Sequence, residues 1–185
     1  MGHLQPDPAL EIVRFWFEDL EPKDWWRKDA GLDAAMRARF GALHAAASRG
    51  ECWRWRATPQ GRLAEVLLLD QFSRNLHRDT PKAFAQDGMA LALAQEAVAG
   101  GHDLALPAVQ RGFLYMPYMH SESPLVHEEA LRLFSQPEVA AQLDFERRHK
   151  AIVDRFGRYP HRNAILGRPS TPEELAFLAE PGSSF

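Results

Sequence analysis

The sequence predicts an all-α fold of seven to eight helices, and three observations carry that prediction. A capping residue followed by proline recurs at Asp7-Pro8, Thr58-Pro59, Thr80-Pro81, Ser123-Pro124 and Thr171-Pro172, the pattern of an N-cap with proline at the first helical position. Between these marks apolar residues return at spacings of three and four. Alternation with period two is nearly absent: only Cys52-Trp53-Arg54-Trp55-Arg56 alternates, a run too short and isolated to argue for a sheet.

Taken in order, the first helix follows Asp7-Pro8 and carries the stripe Leu10, Val13, Phe17, Leu20. The second carries Leu32, Met36, Phe40 and Leu43 and is closed by Gly50. A third starts at Thr58-Pro59 and runs into the apolar segment that holds Asp70. Thr80-Pro81 opens a fourth, with Phe84, Gly88, Leu91, Gln95 and Val98 on one face and Gly100-Gly101 at its end. A fifth helix contains Pro117, which cannot donate its amide and frees a carbonyl near Phe113. Ser123-Pro124 starts the next. Phe145, His149, Ile152 and Phe156 form the stripe of another, and a basic loop follows it. At the last mark Thr171 and Glu174 make a capping box ahead of Leu175 and Leu178. Short loops between helices of this length favour antiparallel hairpins, although no clean 34-residue self-similarity is present.

Composition bounds the class. The chain has 185 residues, 45% hydrophobic and 25% charged, with a formal net charge of -3, which suits one domain over residues 1–185 with a loose tail at 181–185. No window approaches the roughly 18 consecutive apolar residues that a membrane span needs. The N-terminal stretch MGHLQPDPALEIVRFWFED has acids where a signal peptide has a basic flank, so a cytoplasmic location is expected. Cys52 is the single cysteine, which excludes an intramolecular disulfide and a cysteine-rich zinc site and reads as a small buried hydrophobe.

Against this acidic background the stretch Arg147 to Arg168 gathers seven Lys/Arg and two histidines around one acid, Asp154. Such a concentration suits an anion or carboxylates brought in from elsewhere in the fold. Four polar clusters bear on function. In LLLDQFSRNLHRDTP, Asp70 interrupts an apolar run on or beside the buried face, where a carboxylate requires partners. Arg74 stands at i+4, and Asn75, His77 and Arg78 leave the helix end. A buried Asp70–Arg74 pair fastening two helices and a ligand-binding role are both open. Second, His120, Ser121 and Glu122 leave the proline-containing helix together. Third, His149 lies in an apolar stripe, flanked by Arg148 and Arg155. Fourth, the loop Arg158 to Arg168 is too apolar at Tyr159, Ile165 and Leu166 to be a tether, so it is expected to deliver His161, Arg162 and Asn163 to a defined place.

The blocks LLLDQFSRNLHRDTPKAFAQD, FLYMPYMHSES and RFGRYPHRNAILGRPSTPEELAFL, with the opening IVRFWFED, resemble the bacterial domain-of-unknown-function family 924 over nearly the whole chain. The paired signatures DQF-x-RN and R-x-PHRN are its most specific parts. The resemblance implies an all-α fold similar to a tetratricopeptide-repeat superhelix and names no activity. It carries over Asp70, Gln71, Arg74, Asn75, Arg78, His120, Ser121, Glu122, Arg155, His161, Arg162 and Asn163. Ser73 stands where the family pattern implies proline, a change expected to relax a turn.

Three function classes follow. The first is a pocket for a small anionic ligand, a phosphate or carboxylate compound, with His120, Glu122 or His161 as proton-transfer residues and Asp70, Arg74, Asn75, Arg78, His149, Arg155, Arg162 and Asn163 as binding residues. The second is a metal-assisted hydrolase using His120, Glu122, His149 and His161, although no recognised metal spacing such as HExxH occurs and no cofactor is implied. The third is a protein-interaction module in which these clusters are internal struts. Nucleic acid ranks lower, since a pI near 6.2 lacks the basic footprint for backbone binding. The sequence favours the pocket.

Overall fold

The structure is a computed structural model that describes residues 7–185; residues 1–6, part of the acidic N-terminal stretch read above, lie outside it. Among the described residues 71% are helical and none is in a strand. The helices are α1 (Pro8–Arg14), α2 (Ala30–Ser48), α3 (Pro59–Leu67), α4 (Asp87–Ala99), α5 (Ala108–Met119), α6 (Pro124–Phe134), α7 (Leu143–Phe156), α8 (Asn163–Leu166) and α9 (Pro172–Leu178). Two of them change pitch. α1 continues as a π-turn over Phe15–Asp19, and α3 runs on through a π-turn at Leu68–Phe72 into a last α-turn, Ser73–Leu76.

Four of the five proline marks start helices. Asp7, Thr58 and Thr171 accept hydrogen bonds from Ala9, Gly61 and Glu174 amides, and the Thr171–Glu174 capping box is complete. Ser123 precedes α6 without a side-chain cap. Thr80-Pro81 departs from expectation: it opens only a short 3-10 turn, Pro81–Ala83, and α4 begins at Asp87. The proline in α5 does not break that helix, which continues through Pro117 to Met119. The alternating Trp53–Ala57 run is a 3-10 turn.

Helix α3 is the centre of the molecule. Leu63, Ala64, Val66, Leu67, Leu68, Leu69 and Phe72 are all fully buried, as are the charged Glu65, paired with Arg56, and Asp70, the pattern of a helix enclosed by its neighbours. It packs against α1, α2, α4 and α5. Its start fits under the 3-10 turn only because Gly61 has no side chain, since a Cβ there would lie 1.9 Å from the Trp55 carbonyl oxygen. A smaller cluster of Ile152, Val153 and Tyr159, covered by Phe156 and Phe177, holds α7 to the C-terminal segment.

Two predicted stripes are met only in part. In α1 and its π-turn Ala9, Ile12, Val13, Phe15 and Trp16 are buried and Phe17 and Leu20 pack against the core, while Leu10 is 47% exposed. In α4 the core face is Ala90, Ala94 and Ala97, and Phe84, Gly88 and Leu91 face a cavity instead. In the tail, Pro181 to Phe185, all but Ser183 are exposed; the Ser183 hydroxyl donates to the Leu178 carbonyl and the Phe185 ring lies 3.7 Å from that of His149, centre to centre.

Candidate functional site

The π-turn brings Asp70 to the middle of the protein, where it is fully buried. A carboxylate in such a place must be neutralised or bonded, and three side chains do so. His120 donates through Nδ1 at 2.7 Å, Gln71 through Nε2 at 2.7 Å, and the Arg74 guanidinium stands 3.2 Å away. Burial pushes its pKa up, but the Arg74 guanidinium and the hydrogen bonds from His120 and Gln71 outweigh it, holding Asp70 well below the usual carboxylate range. Arg74 is held as firmly: it donates to the Asp70 carbonyl and makes a two-pronged pair with Asp87 on α4, at 2.9 and 3.1 Å.

His120 caps the C-terminal end of α5. Burial and the nearby Arg74 lower its pKa, against the opposing pull of Asp70. A neutral ring at this place keeps its proton on Nδ1, donated to Asp70, and leaves the Nε2 lone pair bare. No protein group bonds that nitrogen among the described residues, and His120 lines a cavity of about 300 Å³. An aspartate fixing the tautomer of a histidine whose other nitrogen meets open space is the geometry of a general base.

The end of α5 is clamped from outside. Helix termini leave carbonyls without partners, and here three successive ones are met by side chains from other elements: Tyr159 Oη donates to Met119 O, Arg162 to His120 O at 2.9 Å, and His127 Nε2 to Ser121 O at 2.8 Å. Tyr159 and Arg162 belong to the segment after α7, which is tied down by Glu122. That carboxylate accepts the Tyr159 amide at 2.8 Å and pairs with Arg168 at 2.7 and 2.9 Å. Burial would raise the pKa of Glu122, yet the hydrogen bonds from Arg168 and the Tyr159 amide lower it. His127 in turn meets Glu146 at 2.6 Å with both side chains fully buried, and burial raises the Glu146 pKa against the pull of His127.

The cavity opens between α4, the end of α5 and the Pro160–Leu166 segment. Its lining is part apolar, from Pro81, Phe84, Leu91, Pro117 and Leu166, and part polar, from Asp87, His120, Ser121, Glu122 and Arg162. Arg162 lies with its guanidinium 4.6 Å from the Phe84 ring centre and 4.7 Å from that of Tyr159, and it reaches Asp87 at 3.2 Å. It is 5% exposed and joins the loop to α4 and α5.

The other predicted site residues divide sharply. His120, Glu122 and Arg162 line the cavity, with Asp70 and Arg74 immediately behind them. Asn75 and Arg78 point the opposite way and hold Asp33 of α2, at 2.8 Å and at 2.6 and 2.9 Å. Arg155 pairs with Glu173 at the surface. Asn163 bonds Ser170 and Arg168 within the C-terminal segment. His149 donates to the Phe145 carbonyl, one turn back in α7, and burial pushes it down to about 3. His161 is not on the cavity: its ring lies against Tyr159 and Phe185, its Nδ1 is buried without a partner, and burial, then Arg162, lowers it to about 4. Among the described residues no three or more His, Cys, Asp or Glu side chains gather to hold a metal ion, so the metal-hydrolase set is not assembled. Sequence reasoning missed Asp87 and Phe84, the residues that bind the arginines. The signals for Asp87 were its place in the first turn of a helix and at the end of the block LLLDQFSRNLHRDTPKAFAQD.

The chain has relatives. The family model described as "Bacterial protein of unknown function (DUF924)" matches residues 12–182. No protein of curated function matches the chain. Among solved structures it is similar to a protein of unknown function from Agrobacterium tumefaciens, with 41% sequence identity and a TM-score of 0.88, over 93% of this chain and 97% of that one. The family match over nearly the whole chain and the close structural likeness agree with the motifs read above: the chain belongs to the bacterial family of unknown function DUF924.

Proposed function

We propose that the cavity beside His120 is a small-molecule site and that His120, oriented by Asp70, accepts a proton there. The observation that carries this reading is the His120 Nε2, which no protein group bonds, on a ring whose Nδ1 is committed to a fully buried carboxylate. A ligand hydroxyl or a water in the cavity would pass its proton to Nε2, leaving the electron pair on its oxygen, and Asp70 would stabilise the imidazolium formed. Glu122 and Arg162 shape the cavity rather than react, since both are engaged with protein partners. The cytoplasmic location expected from the sequence suits such a site; no helix among the described residues is long and apolar enough to cross a membrane. One observation favours the interaction-module reading instead: most of the singled-out polar residues are struts between elements.

Filling the cavity tests the proposal. Gly88 lines it, and a Cβ at this position meets nothing within 4 Å, so Gly88→Leu blocks the space without a backbone clash. Small molecules retained by the purified protein, identified by untargeted mass spectrometry, should be lost in Gly88→Leu while its melting temperature stays at or above the wild-type value. In parallel, diethylpyrocarbonate should modify His120 in the wild type. Retention of the same molecules by the filled variant, with His120 inert, would refute the reading.

A further inference from the structure

The charges around the cavity cancel. Arg74 and Arg162 stand against Asp70 and Asp87, and Arg168 stands against Glu122. The anionic ligand expected from the sequence would need one of these guanidinium groups free, and each is engaged with a carboxylate of the chain. What the cavity has spare is mainly acceptors, beside the Ser121 hydroxyl, which can donate, and the Arg162 Nε, which is buried without a partner. His120 Nε2 has no partner. Asp87 accepts three hydrogen bonds, one on Oδ1 and two on Oδ2, where a carboxylate offers about four sites. Apolar side chains share the lining, among them Phe84, Leu91 and Leu166.

Resting on the proposed small-molecule site, we infer that its ligand is an uncharged compound with an apolar or aromatic body and a hydroxyl group, the body against Phe84 and Leu91 and the hydroxyl donating to His120 Nε2. A carboxylate or phosphate in the same place would set an oxygen lone pair against the imidazole lone pair and bring an uncompensated charge into a balanced, half-enclosed space. An ammonium group would meet the acceptors, but with Arg74 and Arg162 close behind them. A volume near 300 Å³ sits at the small end of ligand sites and suits a single ring with a short substituent.

Three compounds of one shape separate these cases: benzyl alcohol, benzoate and benzylammonium, with inorganic phosphate as a fourth probe. Each is titrated into the ¹⁵N-labelled wild-type chain at pH 7, following the Gly88 and Leu91 amides and the His120 ring nitrogens. Benzyl alcohol should shift these resonances and bind about tenfold or more tightly than the charged probes. The shift at His120 Nε2 should disappear in Gly88→Leu. Benzoate, benzylammonium or phosphate binding there as tightly as the alcohol overturns the ligand class and leaves the site standing. If no probe moves the Gly88, Leu91 and His120 signals, the site itself is refuted, and the ligand class with it.

Discussion

Replacing Asp70 by alanine tests the centre of the structure. The change removes the acceptor of His120 Nδ1 and Gln71 Nε2 and one of the two carboxylates beside Arg74. Breaking a buried charge pair by deleting one partner costs about 3–5 kcal/mol when the other is left alone. Arg74 is not left alone, because its two-pronged pair with Asp87 survives, so the lower end applies: about 3 kcal/mol. For a chain of this size that corresponds to a fall in melting temperature of roughly 6–12 °C. Asp70→Asn keeps the shape and an acceptor for His120 and should lose about half as much. The assay is thermal and urea unfolding of the three proteins, with the urea slope unchanged. The loss should depend on pH in one direction. Asp70 is held below its ordinary value in the folded state, so its contribution is complete above the unfolded carboxylate pKa near 4 and is lost as the pH falls towards the depressed folded value. The wild-type and alanine curves should therefore converge in acid. A melting temperature within about 2 °C of wild type at pH 7, or a gap that widens in acid, would show that the Asp70 cluster does not stabilise the fold.

Further outcomes are expected elsewhere. Burial pushes His44 and His161 down to about 4 and His149 to about 3; the unfolded chain then binds more protons than the folded one between those values and about 6.5, so stability should fall as the pH drops from 6.5 to 4. A flat urea midpoint across that range would contradict this. Glu146→Gln should be tolerated and Glu146→Ala should cost about 2 kcal/mol or more, because the amide can donate to His127 Nδ1 while His127 Nε2 still donates to Ser121 O; equal melting temperatures for the two variants would count against it. Arg162→Ala should cost about 2–4 kcal/mol in urea unfolding, since it strips the His120 carbonyl of its donor and the Tyr159 ring of its cation and leaves Phe84 with Arg74 alone. Gly61→Ala should be far worse than Gly112→Ala: the new methyl meets the Trp55 backbone in the first case and the movable end of Gln142 in the second, and comparable stabilities would show that the Trp55 turn yields.

The helix starts were legible because capping and proline are local chemistry, complete within four residues of sequence. Buried faces were less so. In α4 the core side is made of Ala90, Ala94 and Ala97, whose small side chains give weak periodic signal, while the bulkier Phe84 and Leu91 drew attention to the side that lines the cavity. Asp70, Arg74 and His120 were found because a polar residue inside an apolar run demands an explanation. Their meeting was not readable, since His120 is 50 residues from Asp70 and nothing in the local pattern gives the phase between two helices. The same holds for Asp33 and Asp87. An acid near a helix start reads as an ordinary dipole partner, and only the fold turns these two into the counter-ions of Arg78, Arg74 and Arg162. The basic stretch looked like an anion site because its carboxylates lie elsewhere in the chain.

The π-turn at Leu68–Phe72 makes the length of this segment a matter of survival where its composition is not. Such a turn carries one residue more than regular α-helical pitch requires, and deleting any one of the five would rotate everything beyond it by about 100°. Two clients on opposite sides depend on the present phase: Asp70 and Arg74 serve α4 and α5, while Ser73, Asn75 and Arg78 serve His44 and Asp33 of α2. No single rotation satisfies both. Leu68, Leu69 and Phe72 could be exchanged for other apolar residues of similar bulk, but a codon lost or gained here would separate the two halves of the polar framework at once.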